Sequence, residues 1–243
     1  MCNPWILRVG LLFALNYAFT ASAGQSSKMI LALGSPGFLD SGATQAATGA
    51  VVKHELENFQ LKHFAVVVLA NIALAALPPP VQEGLDEYVT GGGALLLTGG
   101  PQSFGSGGYQ AVAAILPFEI RSGNDWRFTP FRPPVVIQPG HPILAGVTFI
   151  PVGTLNDMNP RRDATEVLQA AGGGSAGRRV TGAGVGGGGS FPYPLIAEVG
   201  VGAGRVLGIA FDLNEFATMQ DRDLFVRNTI AYLLSVSRMG PVQ

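Results

Sequence analysis

Cysteine is almost missing from this 243-residue chain, the single example being Cys2. A disulfide framework and a multi-cysteine zinc site are therefore excluded. Charge is also scarce: 13% of residues are charged and 47% are hydrophobic, where globular chains average about 25% charged. The 15 Lys+Arg against 16 Asp+Glu leave no basic surplus for phosphate backbones, which argues against a nucleic-acid partner. A chain this apolar, with a net charge of −1, does not belong to the disordered class. Fixed-period self-similarity is absent, as is any G-x-x-x-x-G-K-[ST] loop, so neither a repeat array nor a P-loop nucleotide site is expected.

What is present begins with a leader-like segment. Arg8 precedes an apolar run, Val9–Leu15, that continues through Tyr17-Ala18-Phe19 and ends at Ala21-Ser22-Ala23, the small-x-small pattern of a cleavage site. The run is shorter than the ~20 residues that span a bilayer. Residues 1–23 are accordingly expected to be a signal peptide and residues 24–243 a single exported domain, periplasmic or extracellular, with no membrane span after cleavage. Cleavage removes Cys2 and with it the only thiol.

The body alternates strand and helix signals. Met29–Leu33 is a short apolar run entering a Gly-Ser-Pro-Gly loop, and residues from about Ala43 to Phe59 carry small residues at helical spacing. Phe64–Ala70 is a continuous apolar run of the kind found in parallel strands covered on both faces. Pro78-Pro79-Pro80 opens a second helix with Val81, Leu85 and Val89 on one face, and Gly91-Gly92 closes it before the strand Ala94–Thr98. Arg205–Phe211 is a late buried strand, and Thr218–Asp221 is a capping box for a last helix bearing Val226, Ile230 and Leu233. This rhythm predicts a flavodoxin-like, doubly wound α/β fold with a mainly parallel sheet and helices on both faces. Phe118 to Ala171 is rich in proline and poor in period, with Val135–Ile137 and Phe149–Val152 as edge or accessory strands. Residues 172–190 read as a flexible Gly-rich insertion. The G-x-G-x-x-G formed there by Gly184, Gly186 and Gly189 precedes Phe191-Pro192-Tyr193-Pro194, which cannot open a dinucleotide-binding helix.

Phe64–Ala70, the helix through Leu85–Val89, Gly91-Gly92-Gly93, Leu95–Pro101 and Ser103–Tyr109 together resemble the glutamine amidotransferase class I-like domains. They are most similar to a bacterial branch of often non-catalytic members. His141-Pro142-Ile143 with Gly146, and Gly202–Leu207 running into Phe211-Asp212, extend the resemblance. It implies that Gly99-Gly100-Pro101 occupies the place of an oxyanion-binding turn. It also implies a following strand and a cysteine elbow, but the corresponding Val112–Glu119 has no Cys, Ser or elbow glycines. His141 stands where a catalytic His-Pro-Glu would begin, yet Ile143 replaces the carboxylate. Thioester chemistry needs a thiolate and an oriented base, so the resemblance implies the fold and counts against the activity.

Three side chains are candidates for acid–base work. His141 is either a general base or a turn histidine bonded to backbone. Asp212, just past a buried strand, lies where open α/β sheets place ligands, and Glu215 either joins it as an acid–base or cation pair or is solvated while Asp212 caps a turn. Gly99, Gly100, Pro101, Ser103, Phe104, Gly105, Gly108 and Tyr109 form the candidate ligand loop. Its glycines permit a nest of N–H groups for an anion, and Phe104 and Tyr109 either stack a ligand or plug the core. The polar run Asn156–Asp163 either lines the same crevice or is an exposed loop. His54 and His63 lack acidic neighbours at ligand spacing, so no metal and no cofactor is expected. The expected role is a binding or interaction module for a small molecule or a cell-envelope protein. The alternative is a hydrolase of a small amide, ester or sugar derivative, with an Asp or His base and the Gly99 and Gly100 amides as oxyanion donors.

Overall fold

β-branched and aliphatic runs bounded by glycine and proline become strands here, and their burial follows from the order in which they pair. The computed structural model describes residues 28–40, 42–129, 134–148, 150, 153–170, 193–216 and 222–239. The leader, the Gly-rich segment 172–190, the capping box at 218–221 and most of the expected strand at 149–152 lie outside the described residues. Strands β1 (Met29–Gly34), β2 (Val51–Lys53), β3 (Phe64–Ala70) and β4 (Ala94–Thr98) carry the first half of the sheet, with helices α1 (Ala43–Thr48) and α2 (Pro79–Thr90) between them. Then follow β5 (Phe118–Ile120), β6 (Trp126–Phe128), β7 (Pro134–Val136), β8 (Thr154–Asn156), β9 (Met158–Pro160), β10 (Thr165–Ala170), β11 (Tyr193–Val201), β12 (Gly204–Ile209) and α3 (Arg222–Val236).

Eight of these strands form one sheet in the order β2-β1-β3-β4-β12-β11-β10-β7. The first five are mutually parallel, and β11, β10 and β7 are added antiparallel. Successive residues of the central strands face opposite sides. Val66, Val68, Leu96 and Leu207 pack with Phe225, Ile230 and Leu233 of α3, whereas Val67, Leu69, Leu95 and Val206 pack with Val81, Leu85 and Val89 of α2. All of β3 and β4 is buried for this reason. α1 lies against α3 on the first face, so helices cover both faces of a doubly wound, flavodoxin-like α/β sheet. No helix among the described residues is long and apolar enough to cross a membrane.

One expectation is corrected. The helix expected over 43–59 stops after six residues, because Gly49 adopts a left-handed conformation (φ 64°) and the β-branched pair Val51-Val52 then joins the edge of β1. In the proline-rich middle, the strand expected at Val135–Ile137 is present as β7 at the edge of the main sheet, and β5 pairs with β9, β6 with β8, and β10 enters the main sheet.

The register aligns Gly34 with Ala70, Ala70 with Thr98 and Thr98 with Ile209. The segments leaving β1, β3, β4 and β12 therefore emerge along one edge. Ser35, Asn71, Gly99 and Asp212 all lie there.

Candidate functional site at the carboxyl edge of the sheet

Asp212 follows β12 by three residues and is 7% exposed. Its Oδ1 accepts the Asn214 backbone N–H at 2.8 Å and the Asn214 side-chain N–H at 3.0 Å. Its Oδ2 faces the Asn71 amide nitrogen at 3.4 Å. Burial pushes the Asp212 carboxyl above its ordinary range, and the Asn214 hydrogen bonds offset part of that rise. Asn214 in turn donates to the Ser35 carbonyl at 2.6 Å, tying β1's exit to that of β12. The rim above this carboxylate is solvent-facing: Ser35, Gly37, Pro101 and Gln102 are exposed, and Asn71 and Asn214 are half-buried.

Asn71 is held in an unusual pose. It has a positive φ of 44°, a region asparagine tolerates better than most residues. Its Oδ1 accepts the Gln102 N–H at 2.9 Å. The side chain lies over Gly100, where an added Cβ would come within 2.3 Å of the Asn71 carboxamide, at a backbone φ of +141°. Glycine at 100 is thus what allows β3's exit to cover β4's exit.

The two glycine amides expected as oxyanion donors are already engaged. Gly99 N–H donates to the Phe211 carbonyl at 3.0 Å, and Gly100 N–H donates to Asn156 Oδ1 at 3.0 Å. Asn156, fully buried in β8, returns a hydrogen bond to the Gly100 carbonyl. The anion nest expected in the loop Ser103–Tyr109 exists, and the chain fills it itself. Asp125, 1% exposed, accepts from Gly105 N–H at 2.9 Å, Ser106 N–H at 3.0 Å, Ser106 Oγ at 2.9 Å and Asn156 Nδ2 at 3.1 Å. Ser103 Oγ donates to the Thr98 carbonyl, and Gly108 provides a left-handed turn at φ 78°. Phe104 and Tyr109 are buried in the core rather than presented to a ligand, with Phe104 edge-on to Phe118. Tyr109 donates to the Ile72 carbonyl, and burial pushes its hydroxyl upward. The part of the candidate loop next to Asp212 is therefore Gly99–Gln102; Ser103 to Tyr109 supports it from beneath.

Of the remaining acid–base candidates, Glu215 lies near Asp212, its N–H bonded to the Asp212 carbonyl, without sharing that carboxylate's hydrogen bonds, and His141 lies elsewhere. Glu215 is exposed, and its carboxylate accepts from the Thr154 hydroxyl while that of Asp212 is bonded to Asn71 and Asn214. His141 lies under α3, stacked edge-on against Tyr232 at 4.9 Å between centroids. Its Nδ1 accepts the Ile143 N–H, and its Nε2 faces Glu198 Oε2 at 3.6 Å. Glu198 also accepts from the Tyr232 hydroxyl at 2.6 Å and pairs with Arg205 at 3.6 Å. Glu198 pairs with Leu207 in the middle of β12, so this cluster lies under the body of the sheet and is separate from Asp212, which follows the end of β12. The region Val112–Glu119 is a 3-10 segment followed by the short β5, outside the main sheet, with no elbow. The polar run Asn156–Asp163 divides: Asn156 is buried beside Gly100, Asp157 pairs with Arg121, and Arg161 pairs with Asp163. Among the described residues, no group of three His, Cys, Asp or Glu is placed to hold a metal ion.

Asn71, Asn214 and Asp125 do not stand out in the sequence. Asn71 had a readable signal, since it is the first polar residue after a fully apolar strand and so marks that strand's carboxyl end. Asp125 had none, because its partners are 20 and 31 residues away.

Comparison with known proteins places this arrangement among solved folds. No protein-family model and no curated protein matches the sequence. Two cytoplasmic proteins from Salmonella typhimurium share the fold. One has a TM-score of 0.65 at 15% identity, over 86% of this chain and 100% of its own. The other has a TM-score of 0.63 at 17% identity, over 84% and 98%. A ThuA-like protein from Bacteroides uniformis superposes with a TM-score of 0.56 at 12% identity, covering 90% of this chain and 98% of its own. At these identities the likeness is one of fold.

Proposed function

We propose that this protein is an exported, amidotransferase-like binding module that takes a small-molecule ligand at the carboxyl edge of its sheet and does not act as an amidotransferase. The observation that carries this reading is Asp212, a buried carboxylate beneath an exposed polar rim at the strand exits, held by neutral amide groups. Ligand crevices of open α/β sheets lie at this edge. Catalytic silence is supported by chemistry as well as by geometry. Residues 24–243 contain no cysteine, the Gly99 and Gly100 amides are committed to Phe211 and Asn156, and His141 faces Glu198 under the middle of the sheet. The last two facts also weigh against the hydrolase reading, which asks those groups to converge on one reacting atom. Export is supported by the small-x-small leader at residues 1–23, and the amidotransferase ancestry by the Leu95–Pro101 and Gly202–Asp212 motifs set on a fold of this kind.

The test is a thermal-shift screen of the purified protein against a library of small metabolites. A stabilising ligand whose effect disappears in Asn71→Ala and Asp212→Asn supports the reading; a ligand insensitive to both overturns it. Ammonia release from glutamine by the same material would overturn the non-catalytic assignment.

A further inference from the structure

Three buried carboxylates stand among the described residues: Asp125, Glu198 and Asp212. Burying a carboxylate is tolerable when cations or a full set of donors replace its water. Asp125 has four donors, two of them backbone N–H groups. Glu198 has a tyrosine hydroxyl, His141 and Arg205. Asp212 has neither provision. Both short hydrogen bonds go to Oδ1, and Oδ2 is left with one contact at 3.4 Å, near the outer limit for a hydrogen bond.

Among the described residues, no lysine or arginine pairs with Asp212. Arg222, at the start of α3, is spent on Asp223. Glu215, three residues from Asp212, adds a second negative charge, spent on the Thr154 hydroxyl. An anionic ligand would be repelled here, and a neutral hydroxyl would leave the buried charge uncompensated. An ammonium group brings the charge and three donors. The Ser35 hydroxyl and the second lone pair of Asn71 Oδ1, on the same rim, are neutral acceptors available in addition to Asp212 Oδ2.

We infer that the carboxyl-edge crevice binds a protonated primary amine, with Asp212 as its counter-ion and Asn71 and Ser35 as neutral acceptors. The inference rests on the reading of this edge as the ligand site and names the chemistry of its ligand.

The experiment is an amide chemical-shift titration of the purified protein with three probes: n-propylammonium, its neutral isostere n-propanol, and glycerol. The expected result is that n-propylammonium shifts the Asn71, Gly100 and Gln102 amides saturably, at least about tenfold more tightly than n-propanol, as befits a partly buried charge pair. Asp212→Asn, which keeps an Oδ1 acceptor for Asn214, should lose that tenfold preference while retaining the wild-type spectrum elsewhere. Equal affinity for n-propylammonium and n-propanol overturns the inference, and so does a preference that survives in Asp212→Asn. Saturable shifts of the same amides by glycerol alone reject the amine but leave the crevice as the ligand site. Shifts confined to other parts of the protein reject both readings. The comparison of isosteres on the unaltered protein decides the matter even if the variant does not fold.

Discussion

Asp125 and Gly100 show how single residues set the shape of the candidate site. The Asp125 carboxylate satisfies Gly105 N–H, Ser106 N–H and Asn156 Nδ2 in a place water does not reach. Asp125→Ala strands at least two buried donors, each worth about 1–3 kcal/mol. A loss of about 3 kcal/mol is expected in urea unfolding, with Asp125→Asn, which keeps one acceptor oxygen, falling in between. Gly100→Ala acts differently. It forces a positive φ on alanine and drives a methyl group into the Asn71 carboxamide. A destabilisation of about 2 kcal/mol should be accompanied by displacement of Asn71, visible as loss of protection of the Gln102 amide in hydrogen exchange. If Gly100→Ala leaves that amide protected, Asn71 is not positioned by the turn.

Elements differ in what they expose to pH. Glu198, on β11, is pulled upward by burial, but the nearby His141 ring, the Tyr232 hydrogen bond and the Arg205 charge outweigh that pull and hold its carboxyl below the ordinary range. A carboxyl depressed on folding contributes stability above its unfolded pKa, and loses that contribution as pH falls through the folded value. Glu198→Gln should therefore flatten the acid limb of a urea-midpoint profile below about pH 4.5. Asp212, beyond β12, is raised, so its linkage has the opposite sign: the folded protein takes up its proton first, and acidification toward the ordinary carboxylate range favours folding. Asp212→Asn should be neutral or stabilising at pH 7, the mark of a residue kept for binding rather than for stability. Strong destabilisation at neutral pH by Asp212→Asn would contradict the direction of that shift. The elements themselves were unequally legible. β3, α2, β4 and β12 are readable from Phe64–Ala70, the Val81-Leu85-Val89 stripe, Ala94–Thr98 and Arg205–Phe211, because the strands are mostly apolar runs and α2 carries an apolar stripe between its opening prolines and Gly91. β11 is not, because Pro194 and Gly200 read as breakers inside its nine residues, although Pro194 falls beside a register shift where β11 meets β10. Asp212 was found by position alone, since the ends of buried strands are visible in sequence. That Asn71 is its partner emerges only when register brings 71 and 212 together across 141 residues.

On the scale of the whole molecule, the parallel strands give the sheet two chemically distinct edges. One holds the cluster of Ser35, Asn71, Gly99–Gln102 and Asp212. The other gathers Lys28, Arg205 and Arg238 around the strand starts, where Lys28 bonds the Leu234 carbonyl and the Arg238 backbone bonds Gly92. The histidine and the glycine turn that amidotransferase chemistry would bring together are held apart, His141 by Glu198 and Tyr232 under the sheet and Gly99-Gly100 by Phe211 and Asn156 at the carboxyl edge. The thiol also supplies a direct readout of export. Cys2 is the only cysteine and precedes the Ala21-Ser22-Ala23 cleavage pattern, so processing removes every maleimide-reactive sulfur from the protein. Denatured precursor should take up one equivalent of maleimide, whereas material recovered from outside the cytoplasm should take up none and begin at Gly24. A full equivalent of thiol on exported protein would mean that the leader is retained as an anchor. Thiol-free protein that still released ammonia from glutamine would require a nucleophile other than sulfur, and Asp212, the one under-satisfied carboxylate at the crevice, would be the first residue to replace.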